Sequence, residues 1–228
     1  AFLPEYDHVI LDEAHMIEDV AAHHFGTSLS ETSIRRLLNS LFNVENQRGF
    51  LAGLELEQAD HQAMVDRTVN WVVQMRQTVD DLFEELFRFY HANAPQGSLT
   101  LTEPLQVDRS LIRELSELAV LLKHLTQYAA QQDAYELSGF QVRAEEFAAG
   151  LQALMDQELE DCVYWLEAKG AKSNRISLQC AALDVAGLLR ANLFDKTNDE
   201  DEPLGVVLTS ATLALSGTSP EKAAQKTA

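Results

Sequence analysis

Apolar and polar positions follow three rhythms along this chain. Near each end an uninterrupted apolar triplet stands alone, Val9-Ile10-Leu11 and then Val206-Val207-Leu208. Runs this short and this apolar predict strands covered on both faces, as in the interior of a parallel sheet. Between them most apolar residues recur at spacings of three, four or seven, the period of one helix face. A third rhythm, alternation over residues 175–180, predicts one more strand.

The helical rhythm divides into segments. Residues 16–25 predict a helix stopped by Gly26. Ser30, with Glu31 and Ser33, starts another that runs through Arg35, Leu38 and Leu41. A long helix is expected over 56–91, because Val65, Val69, Val72, Val79, Phe83, Leu86 and Tyr90 share one face. Ala94-Pro95-Gln96-Gly97 ends it. Leu99, Leu101, Leu105 and Val107 alternate loosely around Pro104, giving an extended loop or a short edge strand. Asp108 then caps a helix through Leu111, Leu115, Leu118, Leu122 and Leu125. A further long helix is expected over 138–169, carrying Phe147, Leu151, Leu154, Leu159, Val163 and Leu166 and stopped by Gly170. Residues 184–194 predict a short helix and 198–203 an acidic loop.

These elements give a fold class that is mostly α, a large helical block flanked by two or three short strands. So few strands cannot complete a parallel sheet. The ends therefore predict a slice of an α/β domain, residues 1–26 and 173–216, with the helical block 27–172 inserted and a small polar tail at 217–228. The ends read as those of an excised piece, the first residue being Ala1, and no signal peptide is expected in this sequence, since its basic start is missing: no Lys or Arg precedes Arg35.

Composition narrows the classes. Among 228 residues, 36 are Asp or Glu and 17 are Lys or Arg, a formal charge of −19. That balance argues against nucleic-acid binding by bulk charge, though not against a local DNA contact. No run approaches the ~20 apolar residues of a membrane span. Two cysteines, Cys162 and Cys180, cannot build a disulfide framework or a four-cysteine zinc or iron–sulfur site. A reducing cytoplasm is the simplest compartment.

The first triplet runs straight into Asp12-Glu13-Ala14-His15. In open α/β sheets ligands gather at the carboxyl ends of strands. Magnesium keeps several waters, so one carboxylate, Asp12, suffices to hold it through water. Glu13 can orient or deprotonate the water that attacks a terminal phosphate. His15 lies one turn on, within reach of a neighbouring strand. The plain alternative is a helix start, where acids meet the positive end of the dipole.

Other clusters have bland readings beside their functional ones. Asp19 and His23 are spaced for a metal pair or a surface contact. Phe83, Phe87, Phe89 and Tyr90 are spaced more for core than for stacking on bases. The pairs Arg35-Arg36, Arg67-Arg76 and Arg109-Arg113 are interleaved with acids and read as solvated faces before phosphate contacts. Asp80-Asp81 with Glu84-Glu85 marks an exposed face. Cys162 reads as a small buried hydrophobe.

The segment from Tyr6 to His15 resembles the Walker B segment, motif II, of superfamily 2 helicases, and Val206 to Leu213, with Ser210-Ala211-Thr212, resembles their motif III. His15 and Ser210 lie 195 positions apart, far more than in most such helicases, and a helical insertion here resembles the arch of the XPD/DinG family of DNA helicases. Leu3-Pro4-Glu5-Tyr6-Asp7, Ile17-Glu18-Asp19-Val20-Ala21, residues 180–189 and Leu193-Phe194 agree with that family. The resemblance implies a slice of a RecA-like motor domain with ATP and Mg²⁺ as cofactors. It gives Asp12 the magnesium role through water, Glu13 and His15 the catalytic roles, and Ser210, Ala211 and Thr212 the coupling of hydrolysis to strand separation. It implies a parent that unwinds duplex 5′ to 3′ in repair or replication. Its partner would be single-stranded or forked DNA, bound weakly by this segment alone, with no membrane. An iron–sulfur cluster or a fused nuclease would lie elsewhere in the parent. No Gly-x-x-x-x-Gly-Lys-Ser/Thr occurs here, so this segment alone is expected to be inactive. The alternative from another class is a helical protein-interaction module.

Overall fold

The computed structural model describes residues 6–56, 58–93, 97–168, 176–198 and 201–211, with only the backbone of His23. The chain divides into two compact units, one made of 1–26 with 181–228 and the other of 27–180. The fold is mostly helical, with short strands in two sheets.

In the first unit, strand β1 (His8–Leu11) leads through a 3-10 turn at Ala14–Met16 into helix α1 (Ile17–Phe25). Gly26 ends α1, its amide bonded to the Ala22 carbonyl. In the second unit, β2 (Thr27–Ser30) precedes α2 (Glu31–Leu41), α3 (Ala59–Asn93), β3 (Ser98–Leu101), α4 (Ser110–Thr126), α5 (Gln131–Asp156), β4 (Cys162–Ala168) and β5 (Ile176–Ala182). The chain then returns to the first unit through α6 (Ala186–Leu189), a π-turn at Arg190–Phe194 and β6 (Gly205–Leu208).

The helical unit forms where the apolar periodicity predicts it. Ser30 and Ser33 make a reciprocal capping box that starts α2. Helix α3 has 35 residues and buries Val65, Val72, Met75, Val79, Leu82, Phe83, Leu86 and Tyr90 along one side. Thr68, fully buried on that side, donates its hydroxyl to the Met64 carbonyl and so carries no unmet polar group. Helices α4 and α5 pack together, with leucines of α4 facing Leu137, Ala144, Ala148, Leu151 and Leu154. The small alanines let the two backbones approach.

A four-stranded sheet of order β2-β5-β4-β3 completes this unit. Leu29, Leu101, Tyr164, Leu166, Ile176 and Leu178 point from alternate strand positions into the helical core. β2 and β5 pair antiparallel with Thr27 opposite Cys180. These are the first and last residues of the unit, so the chain enters and leaves it side by side.

Several expectations are corrected here. The helix expected over 138–169 begins at Gln131 and stops at Asp156, because Gln157 takes the left-handed conformation (φ 56°, ψ 44°) of a helix terminus. Beyond it lies strand β4, fixed by the Tyr164 hydroxyl bonding both the amide and the carbonyl of Leu159. The helical and strand periods overlap at Leu166, but Cys162, Tyr164 and Leu166 alternate and the strand wins. The cap of α4 is Arg109, and Asp108 one position earlier accepts from the Ser110 amide. The expected stops at Ala94-Pro95-Gln96 and Gly170 lie outside the described residues, as do Asp199 and Glu200. Strands β2 and β4 have no counterpart among the expected elements, and β5 belongs to this sheet.

Gly49 closes the loop after α2 with φ 144°, and a Cβ there would sit 2.6 Å from the Leu41 carbonyl oxygen. Gly49→Ala is therefore expected to cost about 1–3 kcal/mol in urea unfolding followed by circular dichroism. A loss below about 0.5 kcal/mol, the ordinary surface range, would contradict this geometry.

Candidate nucleotide site at the paired strand ends

β1 and β6 pair in parallel, with His8 opposite Gly205, Val9 opposite Val206, Ile10 opposite Val207 and Leu11 opposite Leu208. Both strands thus end at the same level, and the turns that leave them meet. The Gly205 amide donates to the Asp7 carbonyl at one end, and the Thr209 amide donates to the Leu11 carbonyl at the other. The Ala14 amide then donates to the Thr209 carbonyl at 2.9 Å, tying the turn after β1 to the residue after β6.

The side chains cross the same gap. The Thr209 hydroxyl donates to Asp12 Oδ1 at 2.6 Å. The Glu13 amide donates to the same oxygen at 2.9 Å. His15 Nδ1 lies 2.9 Å from Ser210 Oγ and 3.2 Å from Glu13 Oε2. Glu13 itself is left-handed, at φ 52° and ψ 44°. A side chain with a Cβ seldom takes that conformation unless its surroundings fix it. Ala14, buried at 6% exposure, is the pivot, while Asp12, Glu13 and His15 are exposed.

Of the residues expected at the site, Asp12, Glu13, His15 and Ser210 come together here. Ala211 comes next in a turn, and Thr212 lies outside the described residues. Sequence reading missed Thr209. Its signal was a polar residue closing an apolar strand, with no partner nameable before the strand register is known.

Among the described residues no group of three or more His, Cys, Asp or Glu is placed to hold a metal ion. The donors at the strand ends fit a hydrated magnesium ion, which needs one carboxylate and its own waters, and do not fit a zinc or calcium cage. Asp12 is the suitable donor: Oδ1 is taken by Thr209 and Glu13, and Oδ2 is the oxygen left for a water shell.

The other clusters resolve into packing and surface contacts. Phe83 and Tyr90 are buried in the core, Phe87 packs against it, and Phe89 is exposed. Arg35 pairs with Glu31 and Asp80, Arg76 donates to Asn39 and the Phe42 carbonyl, and Arg109 pairs with Asp156. Arg36, Arg67 and Arg113 are exposed. Asp19 is exposed, and the side chain of His23 lies outside the described residues. Asp81 accepts from Gln77, and Glu85 accepts from the Asp108 amide. Cys180 is buried and Cys162 half-buried, its thiol pushed up by burial and by Cys180 beside it. No helix among the described residues is long and apolar enough to cross a membrane.

The Thr209 hydroxyl, then the Glu13 amide, hold the Asp12 carboxyl below the ordinary aspartate value. A lowered folded-state value stabilises the fold above the unfolded value, and the contribution is lost as pH falls through the folded one. Carbon-detected NMR titration of Asp12 is expected to give a midpoint below that of an unstructured aspartate. A midpoint at or above it would contradict the two hydrogen bonds.

No family model matches the chain. It is similar to the 3'-5' exonuclease DinG of Bacillus subtilis (strain 168), at 27% identity over an alignment 249 positions long that covers 94% of this chain and 25% of that protein. The chain spans about a quarter of the length of the curated relative it matches. This similarity supports a distant relationship to DinG that runs along nearly the whole chain.

Proposed function

We propose that this chain is a segment of an ATP-dependent DNA helicase of the DinG type, comprising the carboxylate strand of one motor domain, a helical arch-like insertion and the strand that returns from it. The observation that carries this reading is the parallel pairing of β1 with β6, which sets Asp12 and Glu13 beside Thr209 and Ser210. The relationship to DinG supports it along the length of the chain. Exposed apolar side chains in the first unit support it as well: Ile10, Met16, Val20, Leu183, Val207 and Leu208. Parallel strands are ordinarily covered on both faces, and a larger α/β sheet would cover these.

In this reading ATP and Mg²⁺ are the cofactors, and a bound magnesium ion would supply charge neutralisation at the phosphates. Asp12 is the residue that would hold the hydrated ion. Glu13 orients the attacking water and accepts its proton. His15, between Glu13 and Ser210, links the state of that carboxylate to the strand after the insertion, with Ala211 and Thr212 continuing the coupling segment. Single-stranded or forked DNA is the track, in repair or replication, in the cytoplasm. The strongly acidic chain suits guiding a strand better than gripping it.

A second reading is favoured by the relative's name: a parent in which the same segment is joined to a 3'-5' exonuclease. The two differ in where activity resides. In the full-length protein, Glu13→Gln is expected to lower DNA-stimulated ATP hydrolysis by about a hundredfold or more while nucleotide still binds. Exonuclease activity that persists in that variant would favour the second reading. No ATP turnover in the wild type, or turnover indifferent to Glu13, would overturn the helicase reading and favour an interaction module.

A further inference from the structure

Thr209 touches both neighbours of Glu13. Its hydroxyl donates to Asp12 Oδ1, and its carbonyl accepts from the Ala14 amide. Its own amide donates to Leu11, the last residue of β1. One residue therefore grips positions 11, 12 and 14 and leaves position 13 between the contacts. Position 13 is where the backbone turns left-handed, and the Glu13 carboxylate lies against His15.

We propose that Thr209 is the positioning residue of the carboxylate pair: its hydroxyl fixes Asp12 with one oxygen left for a hydrated divalent cation, and its backbone holds the left-handed turn that aims Glu13. The inference rests on the helicase reading and deepens it. The two jobs belong to different atoms. A strand end could hold Ala14 and Leu11 with any residue, because those bonds use only the backbone. The bond to Asp12 needs a hydroxyl donor. Without it, Oδ1 keeps only the Glu13 amide, and the carboxylate is freer to rotate about its side-chain torsion. A cation bound through water would then meet a less ordered ligand and bind less tightly.

The substitutions separate these roles. Thr209→Val keeps the branched shape and the backbone bonds and deletes the hydroxyl, and Thr209→Ser restores it. The readout is the affinity of the full-length protein for ADP, measured by calorimetry with and without Mg²⁺, so that the gain from the metal is isolated from nucleotide binding. Asp12→Asn serves as the reference and is expected to abolish the gain. Thr209→Val is expected to reduce it by roughly three- to tenfold, the range for losing one hydrogen bond, with metal-free affinity unchanged. Thr209→Ser is expected to recover most of it. If Asp12→Asn abolishes the gain and Thr209→Val leaves it intact, the inference is wrong and the helicase reading stands. If Asp12→Asn has no effect, the helicase reading fails first and takes the inference with it. If Thr209→Val lowers metal-free affinity equally and Ser does not rescue it, Thr209 is only structural and the inference is overturned.

Discussion

Two strands 197 residues apart in sequence pair because the chain between them leaves and returns at neighbouring points. Thr27 and Cys180, the ends of the helical unit, sit opposite each other in the β2–β5 ladder. Parallel strands always need a crossover, and closing one of nearly two hundred flexible residues carries an entropic cost that grows with its length. A folded unit whose ends are already side by side replaces that long loop with a short effective one. The leucine core of α3, α4 and α5 holds that unit folded with its two ends paired.

The same constraint sets the turns after β1 and β6 side by side. β1 and β6 each contribute four residues, and their pairing is the shortest way to place a carboxylate turn beside a hydroxyl-bearing one. Every bond in the site crosses from one strand end to the other or stays within the turn after β1. A shift of one residue in the β1–β6 register would turn each side chain to the opposite face and part Thr209 from Asp12 and Ser210 from His15.

Much of this was legible in the sequence, for reasons that differ by residue. The triplets at 9–11 and 206–208 and the faces of α2, α3 and α4 are direct consequences of apolar spacing. Asp12 and Glu13 stand out because adjacent carboxylates close an apolar strand, whereas His15 and Ser210 are singled out by the resemblance to the helicase motifs. β2 was hidden because Thr27-Ser28-Leu29-Ser30 has a single apolar residue and owes its strand state to β5. β4 was hidden because Leu159, Val163 and Leu166 fit a helix equally well, and only the left-handed Gln157 breaks the ambiguity. The left-handed Glu13 and the Thr209 bond depend on a pairing between distant segments, which no local pattern encodes.

Amide hydrogen exchange in the intact protein, resolved by mass spectrometry over the peptides that contain Ala14, Gly205 and Thr209, tests the central claim most directly. These three amides bond across the β1–β6 pair or to its continuation. The account predicts that they exchange slowly, as members of one cooperative unit, and that Gly205 and Thr209 lose protection together when Val9→Pro breaks β1. Exchange at the rate of an unstructured chain, with the α4–α5 amides still protected, would show that the strand ends do not pair and that the carboxylate site does not form.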